Sequence, residues 1–512
     1  MQSNSSLRIN VSANFLGNLW CSLMSFVFVP YYIYYMGMEA FGIVGFFTIL
    51  QAALALIDSG ISPTLNREIA FSYAKEIKNQ SIHDLLRTLE IICLVIATSY
   101  SILIWSASEW LSSNWLNLQV LSVGLVAEVI VLMGIICALR LLEGLYRGAI
   151  LGMQKHLFLN LANSSLATLR AGGAVFILAY VSPSLKAFFY WQLALSLLTV
   201  AVFQIFVYQN LPEKDSTACF SIKELKKIWL FFSRVFAASI LALFLTQFDK
   251  IILSRMLTLE QFGFYSFAWT VANLLINSIS PVVQAFFPKL SNLLSMKKIP
   301  ELKSTFHVGA QFTTTISASI ALTIFFFGER IILIWTGNPE LASGVYPVLQ
   351  LLTLGTFFNC LMQMPYCLLL SHGEAAIAFR INLISLVFFL PAIIASVKFY
   401  GGPGAAFVWL ILNLFYITLA ANLILGKLIQ EEKWKWYWQD VIKPSFPVFL
   451  VSILFFLAKP AAMGKATEVL FIFFAMLFSL VFALLNSSSL SKAINYRLFT
   501  LEKNENMIDP DS

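Results

Sequence analysis

The sequence predicts an all-α polytopic membrane protein with about fourteen transmembrane helices. The first observation is composition: 59% of the 512 residues are hydrophobic and only 12% are charged, about half of the usual charged share. The second is the arrangement of these residues, since the apolar ones form long runs separated by short polar segments. The mean hydropathy is +0.81. Because so little charge cannot cover the surface of a soluble protein, lipid is expected to cover the rest.

Each predicted span is long enough to cross a bilayer, which takes roughly 20 apolar residues. The fourteen spans have approximate limits of 11–36, 40–62, 87–107, 119–142, 158–181, 187–209, 229–255, 262–287, 307–328, 344–370, 376–398, 404–426, 443–459 and 467–487. The segments between them are short, so we expect no soluble domain of any size.

Lysine and arginine are concentrated on one side of the predicted membrane. With fourteen spans the loops alternate sides, and those on the N-terminal side carry most of the basic residues, for example Arg67, Lys75 and Lys78. By the positive-inside rule both termini are predicted to be cytoplasmic. The net charge of +7 is therefore interpreted as membrane orientation, and no nucleic-acid partner is expected.

An internal repeat is predicted from the motif E-x-F-G. It occurs at Glu39-Ala40-Phe41-Gly42 and again at Glu260-Gln261-Phe262-Gly263, each time at the start of an even-numbered span. A separation of six spans preserves orientation, so the halves are predicted to be parallel repeats. The expected domains are an N-terminal lobe with spans 1–6 (1–210), a C-terminal lobe with spans 7–12 (211–428), two appended spans (429–487) and a cytoplasmic tail (488–512).

The sequence lacks the common motifs of nucleotide hydrolysis and of metal binding. The sequence has no G-x-x-x-x-G-K-[ST] loop, no H-E-x-x-H and no C-x-x-C, and its four histidines are dispersed. We therefore expect no enzyme activity, no cofactor and no metal site. Two lobes facing each other indicate an alternating-access transporter, driven by an ion gradient or by the gradient of its own substrate.

Charges inside the spans are the candidate functional residues, because a charge in the membrane usually faces a cavity or a partner. Arg170 lies near the middle of span 5, where it is either a cavity residue for an anionic group or half of an ion pair with a neighbouring helix. Asp249 and Lys250 lie in span 7, and the alternative to a cavity role is a structural pair near the interface.

Two carboxylates are candidates for ion coupling, and three residues of span 4 share a face. Glu128 lies within span 4 without an adjacent base in the sequence, and its alternative role is a pair in the helix core. Asp58 lies in span 2, where a cap or a pair with Arg67 is the favoured alternative. A spacing of three and seven residues places Arg140, Glu143 and Arg147 on one helical face, as a ladder with one surplus positive charge.

Several short motifs in order give the chain a family resemblance, which covers about the first 370 residues. They are Asp58-Ser59-Gly60, Asn66-Arg67-Glu68-Ile69-Ala70, Tyr146-Arg147-Gly148, Gly152-Met153-Gln154, Gln247-Phe248-Asp249-Lys250, Phe287-Pro288-Lys289-Leu290-Ser291 and Trp335-Thr336-Gly337, with the two E-x-F-G copies. The chain resembles the bacterial oligosaccharide (O-antigen type) flippases, within the superfamily that includes the multidrug and toxic-compound extruders.

The resemblance implies a flippase that moves an undecaprenyl-pyrophosphate-linked oligosaccharide from the inner to the outer leaflet of the bacterial cytoplasmic membrane. Arg170 and Lys250, then Arg140, would contact the phosphates, with Asp249 nearby. Implied partners are membrane lipid, the lipid-linked oligosaccharide, H⁺ or Na⁺ bound at Glu128, Asp58 or Asp249, and the glycan polymerase and glycosyltransferases of the same pathway. The alternatives are an ion-coupled drug/cation antiporter of the extruder type, and an integral-membrane glycan polymerase or transferase.

Overall fold

The computed structural model describes residues 17–18, 20–75, 79–211, 219–222, 226, 247–460 and 463–487. Outside short connections, these residues are helical. They form two compact units, which divide between Ser266 and Phe267. The tail 488–512 lies outside the described residues.

The first unit is built from six named helices. Residues 20–27 are helical as well, and so are residues 247–256. The named helices are α1 (Val29–Met36), α2 (Met38–Lys75), α3 (Asn79–Trp110), α4 (Val123–Gly152), α5 (His156–Tyr180) and α6 (Leu185–Asn210). A π-helical turn, Leu111–Trp115, follows α3.

Helix α7 (Leu259–Ser295) begins in the first unit and continues into the second. The helices that follow belong to the second unit. They are α8 (Ile299–Thr336), α9 (Pro339–Ser371), α10 (Ala375–Phe415), α11 (Ala421–Leu428), α12 (Lys443–Leu457) and α13 (Lys465–Asn486). Short helical turns, Tyr416–Ala420, Gln430–Glu432, Lys433–Lys435 and Trp436–Ile442, connect α10 to α11 and α11 to α12.

The predicted multi-pass all-α fold is confirmed. Eleven described helices are long and apolar enough to cross a membrane, and each predicted span that the structure describes lies along a helix. The predicted limits are too short for several of them, since α2 continues to Lys75 and α4 to Gly152. Spans 11 and 12 form one continuous stretch, Ala376–Leu428. Their predicted boundary is the backbone break at Gly401, whose φ of 59° suits glycine, two residues before Pro403. Part of span 1 and most of span 7 lie outside the described residues.

Glycines allow α2 and α4 to approach closely. A Cβ on Gly148 would lie 2.6 Å from the backbone oxygen of Ser62, and one on Gly152 would lie 2.8 Å from that of Asn66. Small residues are the usual means of bringing membrane helices into backbone contact. The contact holds the polar residues of the two helices in a fixed register.

The two E-x-F-G copies pack against each other within the first unit. A Cβ on Gly42 would overlap the backbone oxygen of Leu259, and one on Gly263 would lie 2.7 Å from that of Met38. Because Met38 and Leu259 occupy the same position in each copy, the contact is reciprocal, as across a two-fold axis. The division into lobes at residue 210 stays a prediction.

The glutamates of the two copies differ in their surroundings. Glu39 is buried, and its carboxylate accepts hydrogen bonds from the backbone N–H groups of Gln119, Val120 and Leu121 at 2.6, 2.8 and 3.1 Å. Glu260 is exposed. The shared glycines therefore serve helix packing in both copies, whereas the glutamate holds the segment before α4 only in the first.

The helices of the two appended spans, α12 and α13, pack on α8 in the second unit. Phe327 of α8 forms a core with Ile472 and Ala475 of α13. At the other end of α8, His307 contacts Asp440 at 2.5 Å and Glu432 at 3.2 Å. This polar cluster attaches the segment before α12 to α8.

Candidate functional site: an arginine-lined cavity

Two adjoining cavities of about 250 and 460 Å³ lie among the helices of the first unit. Both are lined by Arg140, Glu143, Arg147 and Arg170. The smaller one reaches α2, and the larger one reaches α6 and the helical residues before α1. We refer to the two together as the arginine cavity.

Helix α4 supplies one wall, as its spacing predicted. Arg147 forms an ion pair with Glu143 one turn away. Arg140 donates a hydrogen bond to Gln51 of α2, and its guanidinium lies 5.4 Å from the ring centre of Phe47. The Glu143–Arg147 part of the predicted ladder is therefore present, whereas Arg140 is held by α2 and by an aromatic face.

Arg170 projects into the same cavity from α5. Its Nη2 lies 3.3 Å from Oγ1 of Thr199, to which it donates, and 3.9 Å from Oε2 of Glu143. The side chain is 23% exposed. Among the described residues, Nε of Arg170 and Nε of Arg140 are buried without a hydrogen-bond acceptor. Arg170 therefore has an acidic neighbour and still has a donor available, and its contact with an anionic substrate stays a prediction.

Asp58 lies on the wall opposite α4, where it receives a hydrogen bond of 2.7 Å from Oγ of Ser62. The suggested pair with Arg67 is wrong. The two residues are nine positions apart on the continuous helix α2, about 13 Å along its axis. Gly144 makes room for the carboxylate, since a Cβ there would overlap it.

The charge of the arginine cavity is positive. Its lining holds three arginines, Arg140, Arg147 and Arg170, against two carboxylates, Asp58 and Glu143. Arginine is suited to phosphate because its planar fork can donate two parallel hydrogen bonds. The arrangement can therefore bind an anionic group.

Three other predicted residues lie elsewhere. Asp249 accepts a hydrogen bond of 2.7 Å from the hydroxyl of Tyr265, and Lys250 donates one of 3.3 Å to Gln247. Neither lines the arginine cavity, and their contact with substrate stays a prediction. Glu128, for which pairing was the alternative to ion coupling, forms an ion pair with Lys186 at the start of α6. Its role in ion coupling is untested.

Sequence reasoning missed the neutral polar residues of the cavity. Asn163 and Gln192 line it together with the arginines. A signal for them exists, because Asn163 is seven residues from Arg170 on α5, and Gln192 is seven residues from Thr199 on α6. Two helical turns bring such pairs to one face.

The comparisons with known proteins agree with this fold. The family model described as "Polysaccharide biosynthesis protein" matches residues 7–294, and a second model, MatE, matches residues 235–394. Since the first match covers more than half of the chain, the protein belongs to the polysaccharide biosynthesis protein family.

A curated relative is the "Putative O-antigen transporter" of Shigella flexneri, which is 25% identical over 280 residues. The match covers 54% of this chain and 65% of the relative, which is less than two thirds of its length.

Two solved structures show the same fold at low identity. One is the lipid II flippase MurJ in an inward closed conformation, with a TM-score of 0.71, 13% identity, and coverage of 93% of this chain and 98% of that one. The other is a multidrug resistance MATE family transporter in an inward-facing conformation, with a TM-score of 0.64, 14% identity, and coverage of 83% and 96%. The chain therefore shares the fold of these two membrane transporters.

Proposed function

We propose that the protein is a flippase of the bacterial cytoplasmic membrane. Its substrate is an undecaprenyl-pyrophosphate-linked oligosaccharide, an O-antigen or related surface-glycan unit, which it moves from the inner to the outer leaflet by alternating access. The family supports a role in polysaccharide biosynthesis. The fold supports transport through a membrane-embedded cavity.

The observation that carries the proposal is the cluster of three arginines in a cavity between membrane-spanning helices. Charged side chains within the membrane are costly unless they pair with an opposite charge or bind a ligand. Glu143 and Asp58 balance two of them, which leaves charge and unpaired N–H groups for a ligand. A diphosphate matches both features, since it is anionic and rich in acceptor oxygens.

The prenyl chain of the substrate needs no polar site. It can remain in lipid while only the diphosphate and the sugar enter the cavity. Rearrangement of the helix lobes would then expose the cavity to the other side.

The test is Arg170→Ala in cells whose export of surface glycan depends on this protein. Loss of charge-assisted hydrogen bonds of about 1.5–3 kcal/mol predicts binding of the substrate weakened about ten- to hundredfold. Glycan export should fall at equal amounts of membrane-inserted protein, as measured by immunoblotting of membranes. Arg170→Lys, which keeps the charge and loses the fork, should retain part of the activity.

The matched control is Arg380→Ala, which removes an exposed arginine of α10 in the second unit. Export should be unchanged in this variant. Undiminished export in normally inserted Arg170→Ala would show that Arg170 is not the phosphate contact.

The extruder alternative has one observation in its favour, the MatE match over residues 235–394. The charge of the cavity opposes it, because a cationic drug would meet three arginines in the described part of the first unit. Drug resistance conferred by expression of the protein, without an effect on surface glycan, would favour this alternative.

A further inference from the structure

One arginine of the cavity differs from the other two in its partners. Arg147 forms an ion pair with Glu143, and Arg170 lies 3.9 Å from the same carboxylate. Arg140 lines both cavities as well, but among the described residues it forms no ion pair. In this part of the chain, the positive charge of Arg140 is therefore not compensated by a neighbouring carboxylate.

Two neutral side chains of α2 hold Arg140 in place. Its Nη1 donates a hydrogen bond to the amide oxygen of Gln51, and its guanidinium lies 5.4 Å from the ring centre of Phe47, one turn earlier on α2. The ring of Phe47 in turn packs edge-on against Phe189 of α6, with 5.4 Å between the ring centres. An amide oxygen and an aromatic ring can both orient a guanidinium without cancelling its charge.

Helix α2 carries a carboxylate on the same face, but at another level. Asp58 and Gln51 both line the smaller cavity, and they are seven residues apart, two turns or about 10 Å along the helix. Asp58 lies against Gly144, where a Cβ would overlap it, and it accepts a hydrogen bond from Ser62. The face of α2 that lines the cavity therefore presents an amide to Arg140 and places its acid elsewhere.

This neutral partner sets the charge of the cavity. Three arginines and two carboxylates leave a surplus of one positive charge, which a glutamate in place of Gln51 would remove. An anionic ligand gains from the surplus, because charges interact more strongly in a protein interior than in water. Among the described residues, Nε of Arg140 is buried without an acceptor, so the guanidinium also has a donor left for a phosphate oxygen.

We infer that Gln51 is a specificity-determining residue, which orients Arg140 toward the diphosphate and leaves the charge of this arginine uncompensated. The inference rests on the proposed function and names the position that makes the cavity select an anionic lipid. Gln51 acts through Arg140 and needs no contact with the substrate, so its role is that of a positioning residue.

The experiment measures binding of two lipids to the purified protein in lipid nanodiscs. One is undecaprenyl pyrophosphate, and the other is undecaprenol, which has the same chain and no phosphate. Gln51→Glu should weaken binding of undecaprenyl pyrophosphate about ten- to hundredfold, because the new carboxylate pairs with Arg140. Gln51→Leu, which keeps the charge and loses the orientation, should weaken it about three- to tenfold. Binding of undecaprenol should stay within error of the wild-type value in both variants.

Thermal unfolding of the same samples separates this role from a purely structural one. Gln51→Glu gives Arg140 a charged partner, whereas Gln51→Leu takes its hydrogen-bond acceptor away. The glutamate variant should therefore unfold at the higher temperature of the two and yet bind the diphosphate lipid more weakly. A residue that only supports the fold would produce the same order in stability and in affinity.

A double variant shows whether Gln51 acts through Arg140. Arg140→Ala should weaken binding of undecaprenyl pyrophosphate about ten- to hundredfold, and Gln51→Leu added to it should cause no further loss. The matched control is Gln204→Glu, at an exposed glutamine of α6 that lines neither cavity. The control makes the same chemical change and should leave both affinities unchanged.

Each other outcome is decisive. Gln51→Glu that binds undecaprenyl pyrophosphate as tightly as Gln51→Leu does would overturn the inference, and so would additive losses in the double variant. If Arg170→Ala weakens binding in that case, the proposed function stands without it. Wild-type protein that binds undecaprenyl pyrophosphate no more tightly than undecaprenol would refute the diphosphate site, and the role of Gln51 with it.

Discussion

Glu143 sets the electrostatic balance of the arginine cavity. Its Oε1 pairs with Arg147 and its Oε2 lies 3.9 Å from Arg170, buried without a hydrogen bond. One carboxylate thus compensates two cations from two helices. The arrangement keeps the arginines in place and leaves part of their hydrogen-bonding capacity unused.

Glu143→Gln should destabilise the protein and strengthen binding of an anion. Removal of the carboxylate leaves Arg147 without its charged partner, at a cost of about 1.5–3 kcal/mol, while the net charge of the cavity rises by one. Thermal unfolding in detergent should show a lower transition temperature. Titration with pyrophosphate should show a lower Kd than for the wild type.

Glu128→Gln is the control for this change. The side chain of Glu128 is 61% exposed in its pair with Lys186, and exposed pairs contribute less than about 1 kcal/mol. A transition temperature lowered equally in both variants would argue against a special role of Glu143.

At the scale of helices, the position of the cavity depends on the contact between α2 and α4. Gly148 and Gly152 of α4 bring its backbone against Ser62 and Asn66 of α2. Side chains two to three turns away, such as Arg140 and Gln51, then reach each other across the interface. The site is therefore a product of close helix packing.

Gly148→Ala should destabilise the protein and disturb the cavity. A Cβ at 2.6 Å from the backbone oxygen of Ser62 forces the helices apart, and such overpacking costs about 1–3 kcal/mol. The same substitution at Gly124 on α4, where nothing lies within 4 Å of a Cβ, should be neutral or stabilising by up to about 1 kcal/mol. Thermal unfolding of the two variants measures the difference. Equal transition temperatures would show that the contact is looser than described.

At the scale of the whole molecule, the basic loops predict that both termini are cytoplasmic. Cys219 offers a native reporter, since it is the one exposed cysteine of six. It lies between predicted spans 6 and 7, where its backbone N–H donates to Asp84 at the start of α3. By the alternation of loops, this segment faces the cytoplasm.

A membrane-impermeant maleimide should label Cys219 in inverted membrane vesicles and not in intact spheroplasts. Mass spectrometry of the purified protein locates the labelled thiol, and Cys219→Ser should abolish the signal. Labelling from the outside of spheroplasts would reverse the predicted orientation.

What sequence alone determined is the membrane architecture. Apolar runs of sufficient length leave a helix as the form that satisfies every backbone group in lipid, so the spans and the boundary near Gly401 followed from composition and order. The sequence also identified some of the polar residues of the candidate site. Arg170 and Arg140 stood out because a charge in an apolar run is costly.

Only the tertiary structure decided which of these residues meet. Arg170 and Glu143 are on different helices, and no spacing along the chain predicts the 3.9 Å between them. Asp249 and Lys250 interrupt a span in the same way as Arg170, yet they lie outside the cavity. Asn163 and Gln192 share helical faces with Arg170 and Thr199, but they stand out less in sequence than the arginines do, because an amide costs less in an apolar run than a charge does. Helix packing brings the arginines and the amides, which belong to three different helices, to the same cavity.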